Sequence, residues 1–469
     1  MKGNLNMKGN LKKYVGIGIG VACVIALGFI MPTPEGMTAD AQKVFALTAC
    51  LVCLWVFGSF PIGVSSLFAL LLLPLLGIMP LDGALQQFMR PATFFLVTTY
   101  AISVSFAKTP LGLRLLKTIT RLSGFKSDKV ILAIMITTCL LSTLVSNVPV
   151  TAMMSAVTLQ ILRSIDAVPG KSRLGRTLMI AISIAATCGG FMTPVGSSNN
   201  VLAINLSHEI IGTDVSFFKW MSIGVPLGAA LLFGSWFFLV KFFGPEEIPD
   251  LDARMLASVA DVPARITSRE WKALVIIGVT VAMWIFGNPV LDMTWVALAS
   301  MLLFFFPGVN VFEWDDFAKS ISWDAIFTVG GVMALSSAAI STGLGESLAN
   351  YFLNGSEITL HPALLLVIVC LVINFIHLIL PVSPAIVTIA LPPLLTLAKE
   401  CGLNPFVMTM AAPLMAGTVM LLPIDAMPIL TYNTKYYSLG DMLRSGLILS
   451  CAWSVVIGLW LYCCSTIFL

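Results

Sequence analysis

The longest apolar runs of this chain are each interrupted by a short polar, proline-bearing stretch, and those interruptions limit what it can fold into. A run from Lys129 stops at Ser146-Asn147-Val148-Pro149 and resumes, and a later one stops at Pro194-Val195-Gly196-Ser197-Ser198-Asn199-Asn200. Further on, runs break at Pro381-Val382-Ser383-Pro384 and at Pro423-Ile424-Asp425-Ala426-Met427-Pro428. In hydrocarbon every backbone N–H and C=O must be paired inside the protein. Unwound backbone therefore survives only where it is buried in protein or lines a watery cavity. Interrupted apolar segments at matching places in two halves point to the binding site of a transporter.

The setting is a membrane. The chain is 58% hydrophobic and 10% charged, with mean hydropathy +0.97, against about 25% charge in soluble domains. This is the composition of an all-α polytopic membrane protein, with lipid as its surroundings. A net charge of +3 gives no reason to expect nucleic acid. The cysteines are scattered through apolar runs and read as packing residues. Cys50 and Cys53 have C-x-x-C spacing but no βαβ pattern around them. The basic start (Lys2, Lys8, Lys12, Lys13) leads into apolar Tyr14–Met31 with no A-x-A-like site, which reads as a retained first helix. No metalloenzyme spacing, phosphate loop or nucleophile elbow is present, so neither ATP-driven transport nor catalysis is supported.

Spans of about 20 apolar residues are expected at 14–31, 42–59, 62–80, 92–107, 215–243, 271–287, 290–307, 323–341 and 445–469, with broken spans at 177–212 and 405–440. Segments 130–163 and 361–399 read as re-entrant hairpins. Each has two arms of about 16 residues, rising about 24 Å, short of the ~30 Å core. Basic residues test this choice. With the N-terminus in the cytoplasm, Lys108, Arg114, Lys117, Arg121, Lys126 and Lys129 fall inside. If 130–163 is a hairpin, Arg163, Lys171, Arg173 and Arg176 fall inside too. The loop 343–360 then lies outside and has no Lys or Arg, and the C-terminus ends outside. Two inverted repeats follow, 14–243 and 271–469, joined by a cytoplasmic linker at 244–270. The first hairpin opens inward and the second outward. Phe94…Thr109-Pro110-Leu111-Gly112…Leu115 is echoed by Phe327…Thr342-Gly343-Leu344-Gly345…Leu348.

Ser142, Ser146 and Asn147 surround the first hairpin tip. Hydroxyls, a side-chain amide and freed carbonyls, with Gly196 allowing close approach, supply neutral oxygens of the kind Na⁺ takes. The same residues serve equally well to hydrogen-bond helices together. Ser197, Ser198, Asn199 and Asn200 open a half-helix whose N–H groups attract an anion, or are simply its caps. Asp425 is an acid in an otherwise apolar region. It holds a cation, carries a proton, pairs with Lys435, or caps a half-helix beside water. Arg90 and Lys108 read as snorkelling residues at span ends, and His377 as a hydrogen-bonded packing residue.

On these residues the chain resembles the divalent-anion:sodium symporter family of the ion-transporter superfamily. The likeness covers about residues 14–469. It rests on the order of spans and hairpins, on Ser146-Asn147, on Gly190…Thr193-Pro194-Val195-Gly196-Ser197, and on Leu422-Pro423-Ile424…Tyr436-Tyr437-Ser438…Met442-Leu443-Arg444-Ser445-Gly446. The resemblance implies a homodimer in which a mobile domain carries the site past a fixed scaffold. It also implies movement of di- or tricarboxylates or sulfate, driven by Na⁺ or by exchange, in a bacterial inner membrane. It implies a Na⁺ site at Ser142, Ser146, Asn147 and Gly196, and substrate contact by Asn147 and Ser197. The chain departs from the family pattern at Val148, where a hydroxyl is expected. It departs further at the second tip, with Ile379 upstream and Ser383-Pro384-Ala385 in place of Ser-Asn-Thr, and at Asp425.

The expected site therefore gathers Asn147, Val148, Ser197, Ser198, Asn199, Ser383, Pro384, Ala385, Ala426 and Met427 around an anion, with Ser383 and Asp425 as a second cation position. The expected protein is a secondary transporter and not an enzyme, with Na⁺ as its ion and no organic cofactor. A cation/proton antiporter titrating Asp425 and a membrane receptor without flux are the alternatives.

Overall fold

The computed structural model describes residues 2–212, 215–248, 251, 263, 265–287, 292–345, 347, 361–380 and 382–467. Pro381, Leu348, Lys399–Glu400 side chains and most of the expected linker and outer loop lie outside the described residues. Every regular element among those described is a helix. The helices α1 (Lys2–Ile25, continued by a π-helical turn), α2 (Ala39–Val56), α3 (Ile62–Leu75), α4 (Leu81–Phe88) and α5 (Pro91–Ala107) come first. Helix α6 (Leu111–Ser123) turns away from the segment Leu81–Ala107 by 63°.

The first expected hairpin is present as α7 (Ser127–Ser142) and α8 (Asn147–Ser164), which turn at Thr143–Ser146. The first broken span is α9 (Arg173–Met192), a 3₁₀ turn (Pro194–Gly196) and α10 (Ser198–Ile211), followed by α11 (Phe217–Phe243). The second half contains α12 (Ser268–Phe286), α13 (Met293–Phe304), α14 (Trp314–Ser320) and α15 (Trp323–Ser341). Its hairpin arms are α16 (Pro362–Ile376) and α17 (Ser383–Glu400). Its broken span is α18 (Pro405–Ala416) and α19 (Ala426–Tyr432), and α20 (Leu439–Ile467) closes the chain. Six helical segments among the described residues are long and apolar enough to cross a bilayer, including Arg173–Met192, Phe217–Phe243 and Leu439–Ile467.

Local chemistry sets these boundaries. Ser172 caps α9 by accepting from the Gly175 N–H at 3.0 Å, and Thr267 with Glu270 forms a capping box at α12. Gly244 ends α11 in the left-handed region at φ 55°, where a side chain would strain. Gln42 donates to the carbonyls of Leu27 and Met31 at 2.8 and 2.9 Å, pairing backbone groups at the π-helical turn.

The packing scheme of one half recurs in the other. Helix α9 is packed by both arms of its hairpin, α7 and α8, and by α11; α18 is packed by α16, α17 and α20. The halves also cross. Helices α3 and α4 pack on α15, while α13 and α14 pack on α5. Second arms pair with the opposite broken helix, α8 with α19 and α17 with α10. Close approach depends on glycine at these crossings, since small residues are what let membrane helices pack tightly. A Cβ on Gly224 of α11 would meet the Phe191 carbonyl oxygen at 2.5 Å, and one on Gly331 of α15 would meet that of Ser66 at 2.3 Å.

Candidate functional site

The first tip meets the first break. Asn147 begins α8 and is 8% exposed. Its amide reaches three oxygens held by three different stretches of chain. With its nitrogen turned toward them, Asn147 donates to the Ala186 carbonyl at 3.1 Å, the Gly196 carbonyl at 3.0 Å and the Ser142 hydroxyl at 2.6 Å. Those carbonyls assign the nitrogen to that position. With the amide reversed, Ser142 donates to Asn147 Oδ1 over the same 2.6 Å, and the amide oxygen joins a cluster made only of oxygens. Such a neutral set of carbonyl, amide and hydroxyl groups suits a hard monovalent cation, which takes oxygen ligands without needing a full opposing charge. Of the expected Na⁺ ligands, Ser142, Asn147 and Gly196 are thus brought together. Ser146 is the N-cap of α8, with no side-chain cap bond.

Three further residues build this region. Gly189 stands where a Cβ would come within 2.1 Å of the Cys139 carbonyl oxygen, so α7 and α9 touch there. A Cβ on Gly196 would lie 2.8 Å from the Ser142 carbonyl oxygen. Thr193 accepts from the Gly196 N–H at 3.1 Å and donates to the Thr143 carbonyl, tying break to tip. The Asn200 amide donates to the carbonyls of Gly190 and Thr193 at 2.7 and 2.8 Å. Of the two roles expected at Asn200, anion donor or helix cap, its side-chain nitrogen takes neither: it is committed to the broken backbone. The run of Ser and Asn at 197–200 signalled caps and ligands alike, and the internal bridge is not separable from them in sequence.

Ser197 caps α10, its hydroxyl accepting from the Asn199 N–H at 3.3 Å. Ser197 and Ser198 are half-buried, while Val148 and Ala426 are exposed. Asn199, Ser383, Ala385 and Met427 are buried and Pro384 is half-buried. At the second tip Ser383 begins α17, beside the Asp425 carboxylate. Asp425 is half-buried and caps α19, accepting from the Ala426 N–H.

Several expectations change. No ion pair joins Asp425 to Lys435 among the described residues; Lys435 lies in a turn at φ 64°. Arg90 and Lys108 do not merely snorkel. Arg90 pairs with Glu209 of α10, and Lys108 with Asp316 of α14. His377 is 3% exposed and neither ring nitrogen has a hydrogen-bond partner, so it is not the hydrogen-bonded residue expected.

Two acids between α11 and the first turns of α12 have defined roles. Glu246 accepts from the Ser172 hydroxyl at 2.7 Å and the Leu174 N–H at 2.9 Å, at the N-terminus of α9. Partial burial pushes its carboxyl up, but those donors outweigh burial and hold it below the usual carboxylate range. Glu270 has no exposed side-chain surface and accepts from Nε and Nη2 of Arg114, at 2.9 and 3.1 Å. Its burial is likewise outweighed by the guanidinium and by the Thr267 N–H, so its carboxyl also sits low.

The family model for the sodium:sulfate symporter transmembrane region matches residues 12–466. The chain belongs to the sodium:sulfate symporter family. As a family member it is a transporter and not an enzyme. It is 25% identical to the sodium-dependent dicarboxylate transporter SdcS of Staphylococcus saprophyticus, over 97% of this chain and 92% of that one. It is 22% identical to the sodium-dependent high-affinity dicarboxylate transporter 3 of Caenorhabditis elegans, over 86% of this chain and 80% of that one. Two solved structures share its fold at 14% identity. The YdaH transporter of Alcanivorax borkumensis has TM-score 0.55, covering 96% of this chain and 98% of its own, and MtrF of Neisseria gonorrhoeae has TM-score 0.57, covering 94% and 96%.

Proposed function

We propose that this protein couples inward Na⁺ movement to uptake of a small dicarboxylate. The observation that carries the reading is the Asn147 amide, set 2.6–3.1 Å from Ser142 Oγ, Ala186 O and Gly196 O. Turned oxygen-inward, it completes a neutral oxygen shell for Na⁺, and its nitrogen is then free to face an anion carboxylate. One side chain thereby links ion to substrate: a carboxylate is bound best when the cation has already reversed that amide. The sodium-dependent dicarboxylate relatives support both partners. The half-helix starts at Ser197 and Asn147 add N–H groups and positive dipole ends that favour a negative ligand.

The transport motion we infer follows from the repeat. The halves 14–243 and 271–469 lie in opposite orientation in the bacterial inner membrane, N-terminus in the cytoplasm and C-terminus outside. The hairpins and broken helices move together past α1–α5 and α12–α15, in a homodimer. The recurring packing scheme and the basic residues supporting one face favour this reading.

Uptake of labelled succinate, citrate and sulfate into proteoliposomes tests it, with and without an inward Na⁺ gradient or internal anion. Na⁺-stimulated succinate uptake is expected. No uptake of any of the three under any condition overturns the reading. A cation/proton antiporter has one observation in its favour, that Asp425 has no basic partner among the described ion pairs. It requires Na⁺ flux without organic anion in the same vesicles.

A further inference from the structure

The fixed and mobile groups of helices touch unequally. Helix α15 packs on α10 and α17, and α5 packs on α10. Their counterparts α8 and α19 pack on one another and on α9, without comparable packing on α5 or α15 among the described residues. In the topology proposed above, α10 and α17 lead from the site toward the outer face, and α8 and α19 toward the cytoplasm. The scaffold therefore grips the outer half of the transport group, and the site lies on its cytoplasmic side. Exchanging the two sets of contacts generates the opposite access state.

One ion pair stands on that boundary. Arg90 is the N-cap residue of α5 and Glu209 lies in the last turn of α10. Their side chains are 33% and 9% exposed, and the guanidinium meets the carboxylate directly. Among the described ion pairs it alone joins α5 or α15 to the hairpins and broken helices. Lys108–Asp316 lies within the scaffold, and Arg176–Asp441 joins α9 to α20, away from α5 and α15. A carboxylate this covered is costly to leave without its partner.

We propose that Arg90 and Glu209 form a latch that holds the site in its cytoplasm-facing state. The pair parts each time the site travels to the outer face. Arg90 is fixed at the start of α5, while Glu209 rides on α10. The inference rests on the moving-domain reading above, and it makes both residues positioning residues for transport rather than ligands of the substrate.

The test is a double variant, Arg90→Cys with Glu209→Cys, in proteoliposomes, treated with a reducible bifunctional thiol reagent. A cross-link mapped by mass spectrometry to positions 90 and 209 is expected. Na⁺-driven succinate uptake should fall at least tenfold and return on reduction. Each single variant, treated alike, reports adducts at native cysteines and should change less than twofold. Uptake that continues through a formed cross-link overturns the latch, and so does failure of the cross-link to form. If the cysteine pair is itself inactive, Arg90→Glu combined with Glu209→Arg replaces it. Recovery of turnover above both single charge variants supports the latch, and no recovery overturns it. Absence of uptake by the unaltered protein instead marks failure of the dicarboxylate reading.

Discussion

Asn147 lies flat against α9 because Gly190 has no side chain. A Cβ on Gly190 would come within 2.5 Å of Asn147 Oδ1 and 2.6 Å of Nδ2, so it clashes whichever way the amide is turned. Gly190→Ala should lower Na⁺-driven uptake at least tenfold, because the amide can no longer reach the Gly196 carbonyl. Gly234→Ala on α11 faces open space and should leave uptake unchanged. Parallel uptake measurements on the two variants decide it; equal activity refutes the role of Gly190.

Asn200→Ala removes both donors to the carbonyls of Gly190 and Thr193. The buried Gly190 carbonyl loses its partner, at about 1–3 kcal/mol, while that of Thr193 keeps the Gly196 N–H. The purified variant should unfold at a clearly lower temperature than Asn205→Ala, whose amide bonds only the Val201 carbonyl one turn back. Equal thermal stabilities would show that the break is held by other means.

The clamp of Glu246 on α9 should fail in acid. Its folded-state carboxyl sits below the ordinary glutamate value of 4.5, so its stabilising effect is fully present above that value. The effect is lost as pH falls through the lower folded value. Glu246→Gln should flatten the acid limb of stability measured by thermal unfolding between pH 3 and 6. An unchanged acid limb would assign that pH dependence to another group, with Glu270 the next to test.

Asp425→Asn keeps an N-cap and removes a charge. A doubly charged anion near a bare carboxylate is repelled, so the variant should bind succinate more tightly. We expect KM for uptake to fall about three- to tenfold, equivalent to about 0.6–1.4 kcal/mol. A raised KM would mean that the carboxylate serves the substrate or its ion instead.

The breaks were readable because unwound backbone in an apolar run needs small polar residues and proline, which stand out by type. The hairpin arms were readable from length against bilayer thickness. The crossing of α3 with α15 and of α5 with α13 was not, because apolar helix faces carry no address for their partners. The Ala186 carbonyl and the contact of Gly190 with Asn147 were hidden for a similar reason: a backbone oxygen has no residue signature, and a helical glycine in a motif does not say what it touches. Arg90 and Glu209 lie 119 residues apart, and only the fold makes them neighbours.

Helix α19 has seven residues, and residues 417–425 before it follow no helix. An isolated helix of under about 12 residues does not hold its own shape in water, so α8 and α9 serve as its mould. Changes of shape on that side need not disturb the oxygen cluster around Asn147. The short half-helix is therefore where directed variation should retune which cargo is accepted while the ionic driving force is retained.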